Sequence, residues 1–345
     1  MKVELKGLDA LETAQWAESL GLEPYRGGQI RKWLFKRLAR SFDEMTDLPL
    51  SLRKTLADRA PLNHLETAKV LSSRDGTKKF LFRLHDGPGI ESVLIPEKDH
   101  FTLCISSQAG CAMGCRFCLT AKQGLKRNLS PGEIVDQVLE VKRSMERPER
   151  LTNIVLMGMG EPLANYEAVV RALRNLVADD GLNFSHRKVT LSTSGLVPAM
   201  ERLGRDLEVN LAVSPNAADD DTRSMLMPVN RKYPLGDLMA ACRRYPLPHR
   251  KMITFEYVLI GGVNDSAEDA RKTAALLSGI RAKVNLIPFN PHPGSTMAPP
   301  SEHRVLAFQE VLLERNITAI IRKSKGRDIA AACGQLSGTQ DPAAG

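Results

Sequence analysis

From residue 100 onward the chain alternates between two hydrophobic patterns, and few folds accommodate that order. Short apolar runs read as strands: Phe101–Ile105, Asn153–Met157, Lys188–Ser192, Glu208–Val213, Met252–Leu259, Ala282–Ile287 and Thr318–Arg322. Longer stretches with helix-like patterning lie between them. Strands joined through helices run parallel, so six such units and a final strand predict an α/β parallel barrel or part-barrel. The first helix carries its own start signal. In Ser130-Pro131-Gly132-Glu133 the serine caps, the proline takes the first helical position and the glutamate completes a capping box. Ile134, Val138, Val141 and Met145 then keep one face apolar. Parallel barrels place their chemistry at the carboxyl ends of the strands.

The preceding residues read differently. Ile30, Trp33, Leu34 and Leu38 recur at helical spacing, and a second helix is predicted near Ser51–Ala60, stopping at Pro61. Asp75-Gly76 marks a hairpin turn between Lys69–Ser72 and Lys78–Leu84. A third strand then puts Glu91, Val93 and Ile95 on one face. A carboxylate on an apolar face is desolvated and thereby suited to proton transfer; the plain reading is a strand-end glutamate in water. The predicted organisation is a helical accessory domain at 1–62, a β-hairpin extension at 63–99, the barrel at 100–336 and a disordered tail at 337–345.

Apolar residues make up 43% and charged residues 26% of 345, which excludes a mainly disordered chain. No window has the roughly 18 apolar residues of a membrane span, and Met1–Gly7 lacks the apolar core of a signal peptide, so a cytoplasmic protein is expected. The 48 Lys and Arg against 40 Asp and Glu permit a nucleic-acid partner without demanding one. Two basic runs contain no acid: Arg26, Arg31, Lys32, Lys36, Arg37 and Arg40, and then Arg116, Lys122, Lys126 and Arg127. Each reads as a solvated helix or loop face or as a phosphate-contacting surface.

Six cysteines are too few for a disulfide scaffold in a chain this long. Three are clustered, as Cys111-Ala-Met-Gly-Cys115-Arg-Phe-Cys118, directly after the first barrel strand. Three thiolates on one loop can hold three irons of a [4Fe–4S] cluster and leave the fourth open, and Gly114 permits the tight backbone. Zinc is the rival, with His100 completing a Cys3His set. Cys242, in a helical run near Met239, reads as structural, and Cys104 by itself as a core thiol.

The C-x-x-x-C-x-x-C loop after the first strand resembles that of the radical S-adenosylmethionine (SAM) enzymes, with their (β/α)6 partial barrel. More closely, the chain is similar to the RlmN/Cfr family of RNA adenine methyltransferases, to its RlmN branch above all. The resemblance spans nearly the whole chain. It includes Phe42-Asp43-Glu44-Met45-Thr46-Asp47-Leu48-Pro49, Leu103-Cys104-Ile105-Ser106-Ser107-Gln108-Ala109-Gly110-Cys111, Met157-Gly158-Met159-Gly160-Glu161-Pro162 and Ala331-Ala332-Cys333-Gly334-Gln335-Leu336.

This resemblance implies roles. Cys111, Cys115 and Cys118 hold the cluster, and SAM chelates the open iron. Gly160, Glu161, Ser192, Ser214, Pro215, Asn216 and Asn290 contact SAM. Cys333 accepts a methyl group, Cys104 resolves it through a transient disulfide, and Glu91 accepts the ring proton. Two SAM molecules serve each turnover, the target is one adenosine in 23S ribosomal RNA and in transfer RNAs, and a flavodoxin-like donor supplies the electron to a monomer. One departure stands out: Ser214-Pro215-Asn216-Ala217 replaces the family pattern Ser-Leu-His-Ala. The alternatives are methylation at carbon 8, a radical SAM enzyme acting on a small molecule, and a zinc-stabilised RNA-binding protein.

Overall fold

The computed structural model describes residues 3–60, 62 and 64–339, and its N-terminal part is helical. Helix α1 (Ala10–Ser19) starts on an Asp9–Glu12 capping box, and α2 (Tyr25–Arg31) runs on into a π-helical turn at Lys32–Lys36. The two cross closely at Gly27, where a β-carbon would lie 2.9 Å from the backbone of Ala14. Helix α3 (Leu50–Arg59) follows. The predicted stop at Pro61 lies outside the described residues.

Strands β1 (Glu66–Ser72), β2 (Lys78–Arg83) and β3 (Gly89–Pro96) form an antiparallel meander. They do not stand apart from the barrel. Strand β4 (Phe101–Cys104) pairs antiparallel with β3 on one side and parallel with the strand Leu151–Leu156 on the other, so all belong to one ten-stranded sheet. After β4 comes an insertion that periodicity did not reveal. Strands β5 (Gln108–Gly110) and β6 (Leu125–Asn128) pair around a short helix α4 (Leu119–Lys122) and pin the ends of the three-cysteine loop. Three- and four-residue strands are too short to show a period.

The remaining units follow the predicted order: α5 (Pro131–Arg143), β7 (Leu151–Leu156), α6 (Tyr166–Val177), β8 (Val189–Thr193), α7 (Val197–Asp206), β9 (Asn210–Val213), α8 (Asp220–Leu226), α9 (Leu235–Arg244), β10 (Ile253–Leu259), α10 (Ala267–Leu276), β11 (Ala282–Pro288), α11 (Glu302–Glu314) and β12 (Thr318–Ile321). Strands β7 to β12 are all parallel, as the α/β partial barrel requires. The Ser130 capping box is present, with Ser130 Oγ accepting from the Glu133 amide. Alternation along β10 sends Phe255 and Tyr257 toward the helices, where Tyr257 meets Phe308 of α11, while Glu256 takes the other face.

The helical N-terminus is fastened to the barrel by buried charge. Lys6 Nζ lies 2.6 Å from Asp136 on α5, and Arg31 (1% exposed) reaches Asp180, Asn175 and the Leu8 carbonyl. Arg31 therefore leaves the first basic run as an internal anchor. Arg40 pairs with Glu140, and Arg37 stacks on Trp33 and faces Asp47. Among the described residues, Arg26, Lys32 and Lys36 are the members of that run with no carboxylate within ion-pair distance.

The segment expected as a disordered tail begins inside the structure. Ser337 is 2% exposed and Gly338 packs on Gly89; residues 340–345 lie outside the described region. Small polar residues read as disorder in sequence, yet here their backbone amides are what is used. Among the described residues no helix is long and apolar enough to cross a membrane.

Candidate active site

The carboxyl ends of β4, β7, β8, β9 and β11, together with the returning C-terminal segment, gather most of the residues singled out from the sequence. The three-cysteine loop leaves β5 at Gly110, whose φ of +77° and whose position against the Gly124 carbonyl exclude a side chain. Gly114 (φ +67°) turns the loop between Cys111 and Cys115. Helix α8 supports it from outside, through the Arg116 amide on the Leu226 carbonyl at 3.0 Å.

The three thiols face one another. Burial pushes the Cys111 thiol up to about 11. Burial raises Cys115 well above its ordinary value, with Cys118 and Cys111 adding to it, and burial likewise raises Cys118. Burial and mutual repulsion disfavour the thiolate form of these three sulfurs, and an iron–sulfur core would supply the positive charge that the thiolates lack here. Among the described residues, only His64, Asp136 and Glu140 bring three such ligand atoms within 4.8 Å of one another. At least one pair among the three cysteine sulfurs therefore lies beyond 4.8 Å. His64, Asp136 and Glu140 are already filled by Lys6, Arg40 and Arg143.

Next to the loop, Ser106, Ser107 and Gln108 stitch the end of β4 to the turn after β7. Ser106 Oγ donates to the Glu91 carbonyl at 2.6 Å and accepts from the Met159 amide; Gln108 Oε1 accepts from the Glu161 amide at 2.8 Å. Gly160 (φ +98°) is obligatory, since a β-carbon would lie 2.5 Å from Gln108. The Glu161 carboxylate is 3% exposed, raised by burial, and accepts from Ser194 N (2.7 Å) and Leu163 N (3.1 Å). Ser192 is half-buried at the end of β8, and Ser214 follows β9 with its amide on the Thr193 carbonyl.

Three residues expected at SAM, Pro215, Asn216 and Asn290, have partners within the protein. Asn216 is 2% exposed in the left-handed region (φ +54°); its Oδ1 accepts from Val258 N and its Nδ2 donates to the Met227 thioether Sδ. It braces the loop between β9 and β10, and Pro215 offers its carbonyl to Arg223. Asn290 is buried and donates to the Cys333 carbonyl at 3.3 Å, so it holds the C-terminal segment.

That segment delivers Cys333 to the cluster loop. Leu119 N donates to Gly334 O, Thr120 Oγ1 to Leu336 O, and Gln335 Nε2 to Pro291 O. Cys333 is solvent-accessible but densely surrounded, which pushes its thiol up to about 11, with Glu256 adding to the rise and Arg322 opposing it. Cys104, at the end of β4, is raised by burial and then by Cys333, which places the two thiols as neighbours. Glu91 lies in the same region, 1% exposed, with Lys79 Nζ at 2.9 Å. Glu91 is thus a desolvated carboxylate in an ion pair and not a strand-end glutamate in water. Cys242 packs in the core of α9, away from these thiols.

The fold and the thiol pattern have known counterparts. Residues 105–276 match the Radical SAM superfamily, and residues 3–62 match the ribosomal RNA large subunit methyltransferase N-terminal domain. A dual-specificity RNA methyltransferase RlmN of Syntrophus aciditrophicus is 54% identical, covering 98% of this chain and 97% of its own. That of Geobacter sulfurreducens is 55% identical over 98% and 93%. The chain belongs to the RlmN family. The crystal structure of a radical SAM methyltransferase from Sphaerobacter thermophilus superposes with a TM-score of 0.94 at 48% identity, covering 98% of this chain and all of that one. Radical SAM membership implies a [4Fe–4S] cluster and SAM, and the residues present fit both.

Several residues of this RlmN-family site had no signal in the sequence. Lys79 lies inside the expected Lys78–Leu84 strand without a reading of its own, and is 4% exposed. Arg223, with no accessible surface, joins the loops after β8 and β9 through the Ser194 and Pro215 carbonyls and is lowered to about 10 by burial. Glu256 had one usable clue, a carboxylate inside an apolar strand. The second basic run also thins: Arg127 is held by Asp86 and Glu133, while Arg116, Lys122 and Lys126 stay exposed. Arg116 and Lys122 line a cavity of about 310 Å³ with Cys115, Ser295 and Met297.

Proposed function

We propose that the protein methylates carbon 2 of one adenosine in 23S ribosomal RNA and in transfer RNAs, using Cys333 as the methyl carrier. The observation that carries this reading is the gathering of Cys333, Cys104 and the buried Glu91 beside the cluster loop. A plain SAM-dependent transfer needs none of the three. Cys111, Cys115 and Cys118 hold the cluster, and Gly160, Glu161, Ser192, Ser214 and the loop braced by Asn216 form the SAM cradle. When bound, the cluster supplies the electron that splits SAM into methionine and a 5′-deoxyadenosyl radical, so that two SAM molecules serve each turnover.

The chain's own groups do the rest. Cys333 takes the methyl group as a thioether; that carbon gives one hydrogen atom to the 5′-deoxyadenosyl radical and bonds to carbon 2 of the adenine, which RNA must unstack to offer, and the adduct gives up one electron. Glu91 takes the proton from ring carbon 2. Cys104 attacks the Cys333 sulfur as a thiolate; a sulfur–sulfur bond forms as the sulfur–carbon bond breaks, and the carbon takes up a proton and stays on the RNA as a methyl group. The disulfide takes up two electrons before the next turnover, and a low-potential, flavodoxin-like donor in the cytoplasm suits both demands. The enzyme acts as a monomer in this reading.

Mass spectrometry of RNA nucleosides after anaerobic incubation with SAM and reductant tests it. 2-Methyladenosine is the expected product. 8-Methyladenosine would move the protein to the other branch of the family, and unmodified adenine from fully loaded protein would end the proposal.

RNA contact is assigned to Arg116, Lys122 and Lys126, with Arg26, Lys32 and Lys36 on the N-terminal helices. Affinity for transfer RNA is expected to fall steeply with salt. Replacing Lys126 by alanine should weaken binding across RNA sequences and reduce the log–log salt slope by about one; filter binding at several salt concentrations reads it, and an unchanged slope removes Lys126 from the interface.

A further inference from the structure

The C-terminal segment is strapped down on both sides of Cys333, and both straps end on one buried ion pair. Lys79 on β2 and Glu91 on β3 are diagonal neighbours, since Lys79 pairs in register with Val93 and Leu81 with Glu91. Lys79 Nζ stands 2.9 Å from Glu91 Oε1 and 3.1 Å from the carbonyl of Ala330, three residues before Cys333. Glu91 Oε2 accepts from the amides of Ser337 (2.7 Å) and Gly338 (3.1 Å), four and five residues after it. Glycine at 89 lets the backbones approach, for a β-carbon there would lie 2.1 Å from the Gly338 carbonyl. Ala330 is held in the left-handed region (φ +50°), a conformation an alanine keeps only under constraint.

We propose that Lys79 is a positioning residue that makes the hold on the Cys333 segment depend on the negative charge of Glu91. The proposal rests on Glu91 as the proton acceptor. With Glu91 ionised, the carboxylate fixes the Lys79 ammonium and two backbone amides, and Lys79 in turn fixes Ala330. Once Glu91 has taken the ring proton, the ammonium loses its counter-charge and the amides lose a charged acceptor. Both flanks of Cys333 loosen together. Proton removal from the adenine therefore precedes release of the segment, which orders the two late steps of the reaction.

Hydrogen exchange read by mass spectrometry on cluster-loaded protein, without SAM or RNA, tests this. Lys79→Met and Glu91→Gln should each speed exchange across residues 326–338 by about tenfold or more, the factor that loss of one charge-assisted hydrogen bond carries. The double variant should be no faster than either single one, because both break the same strap. Lys79→Arg, which keeps the charge, should stay near wild type. Additive effects in the double variant, unchanged exchange in Lys79→Met, or loosening that spreads through the barrel strands would each overturn the proposal. Because no turnover is involved, the result stands apart from the nucleoside analysis, which decides the methylation reading by itself.

Discussion

Cys333→Ala protein is expected to purify brown, with its iron in place, and to form no methylated adenine at all. The segment around Cys333 is held through backbone atoms: the Cys333 carbonyl accepts from Asn290 and the Gly334 carbonyl from Leu119. Alanine keeps every one of these bonds and removes one accessible sulfur. Neither the cluster loop nor the core loses packing, so loss of product reports the missing methyl carrier rather than misfolding. Nucleoside mass spectrometry beside iron analysis and circular dichroism measures this. Product formed at even one-tenth of the wild-type rate would show that methyl transfer does not pass through this thiol.

The second large effect falls on the cluster. Cys115→Ser is expected to yield colourless protein with iron reduced from about four per chain to near zero, and with it no methylation. A serine hydroxyl is a poor donor to iron, and two remaining thiolates cannot supply the three-point hold this loop provides. Cys115 is half-buried on a loop, so the sheet and helices should remain by circular dichroism. Cys242→Ser is the matched control. It removes a buried thiol from the core of α9 and should cost stability by about 1–3 kcal/mol through a buried hydroxyl, yet keep full iron content. Equal iron loss in both variants would mean that thiol count, not position, governs loading.

The barrel was legible because its units are regular. Each parallel strand shows as a β-branched apolar run between amphipathic helices, and the Ser130 box marks a helix start with no help from tertiary contacts. The cluster loop was legible because its three cysteines are close in sequence. What remained hidden depends on pairing across distance. Glu91 read as a candidate for proton transfer while Lys79 carried no signal, and their union is set by the β2–β3 register. Arg31 read as part of a basic surface, but Asp180, 149 residues away, turns it inward. Ser337 and Gly338 carry no pattern, because only their amides act. Asn216 was chosen by position in a motif, and its left-handed backbone sends the amide into the loop it braces.

The sheet begins with the hairpin strands and the site is finished by a segment that returns to them, with Glu91 and Ser337 separated by 246 residues. Synthesis runs in the same direction. A growing chain can lay down β1 to β4 and the cluster loop early, then add each parallel strand to the edge of the last. Cys333, the proposed methyl carrier, and the amides that close over Glu91 emerge only after the whole barrel has been made. Chains that stall or are cut before residue 333 can therefore own a complete barrel and still be inert, so catalytic competence is the last property this molecule acquires as it is made.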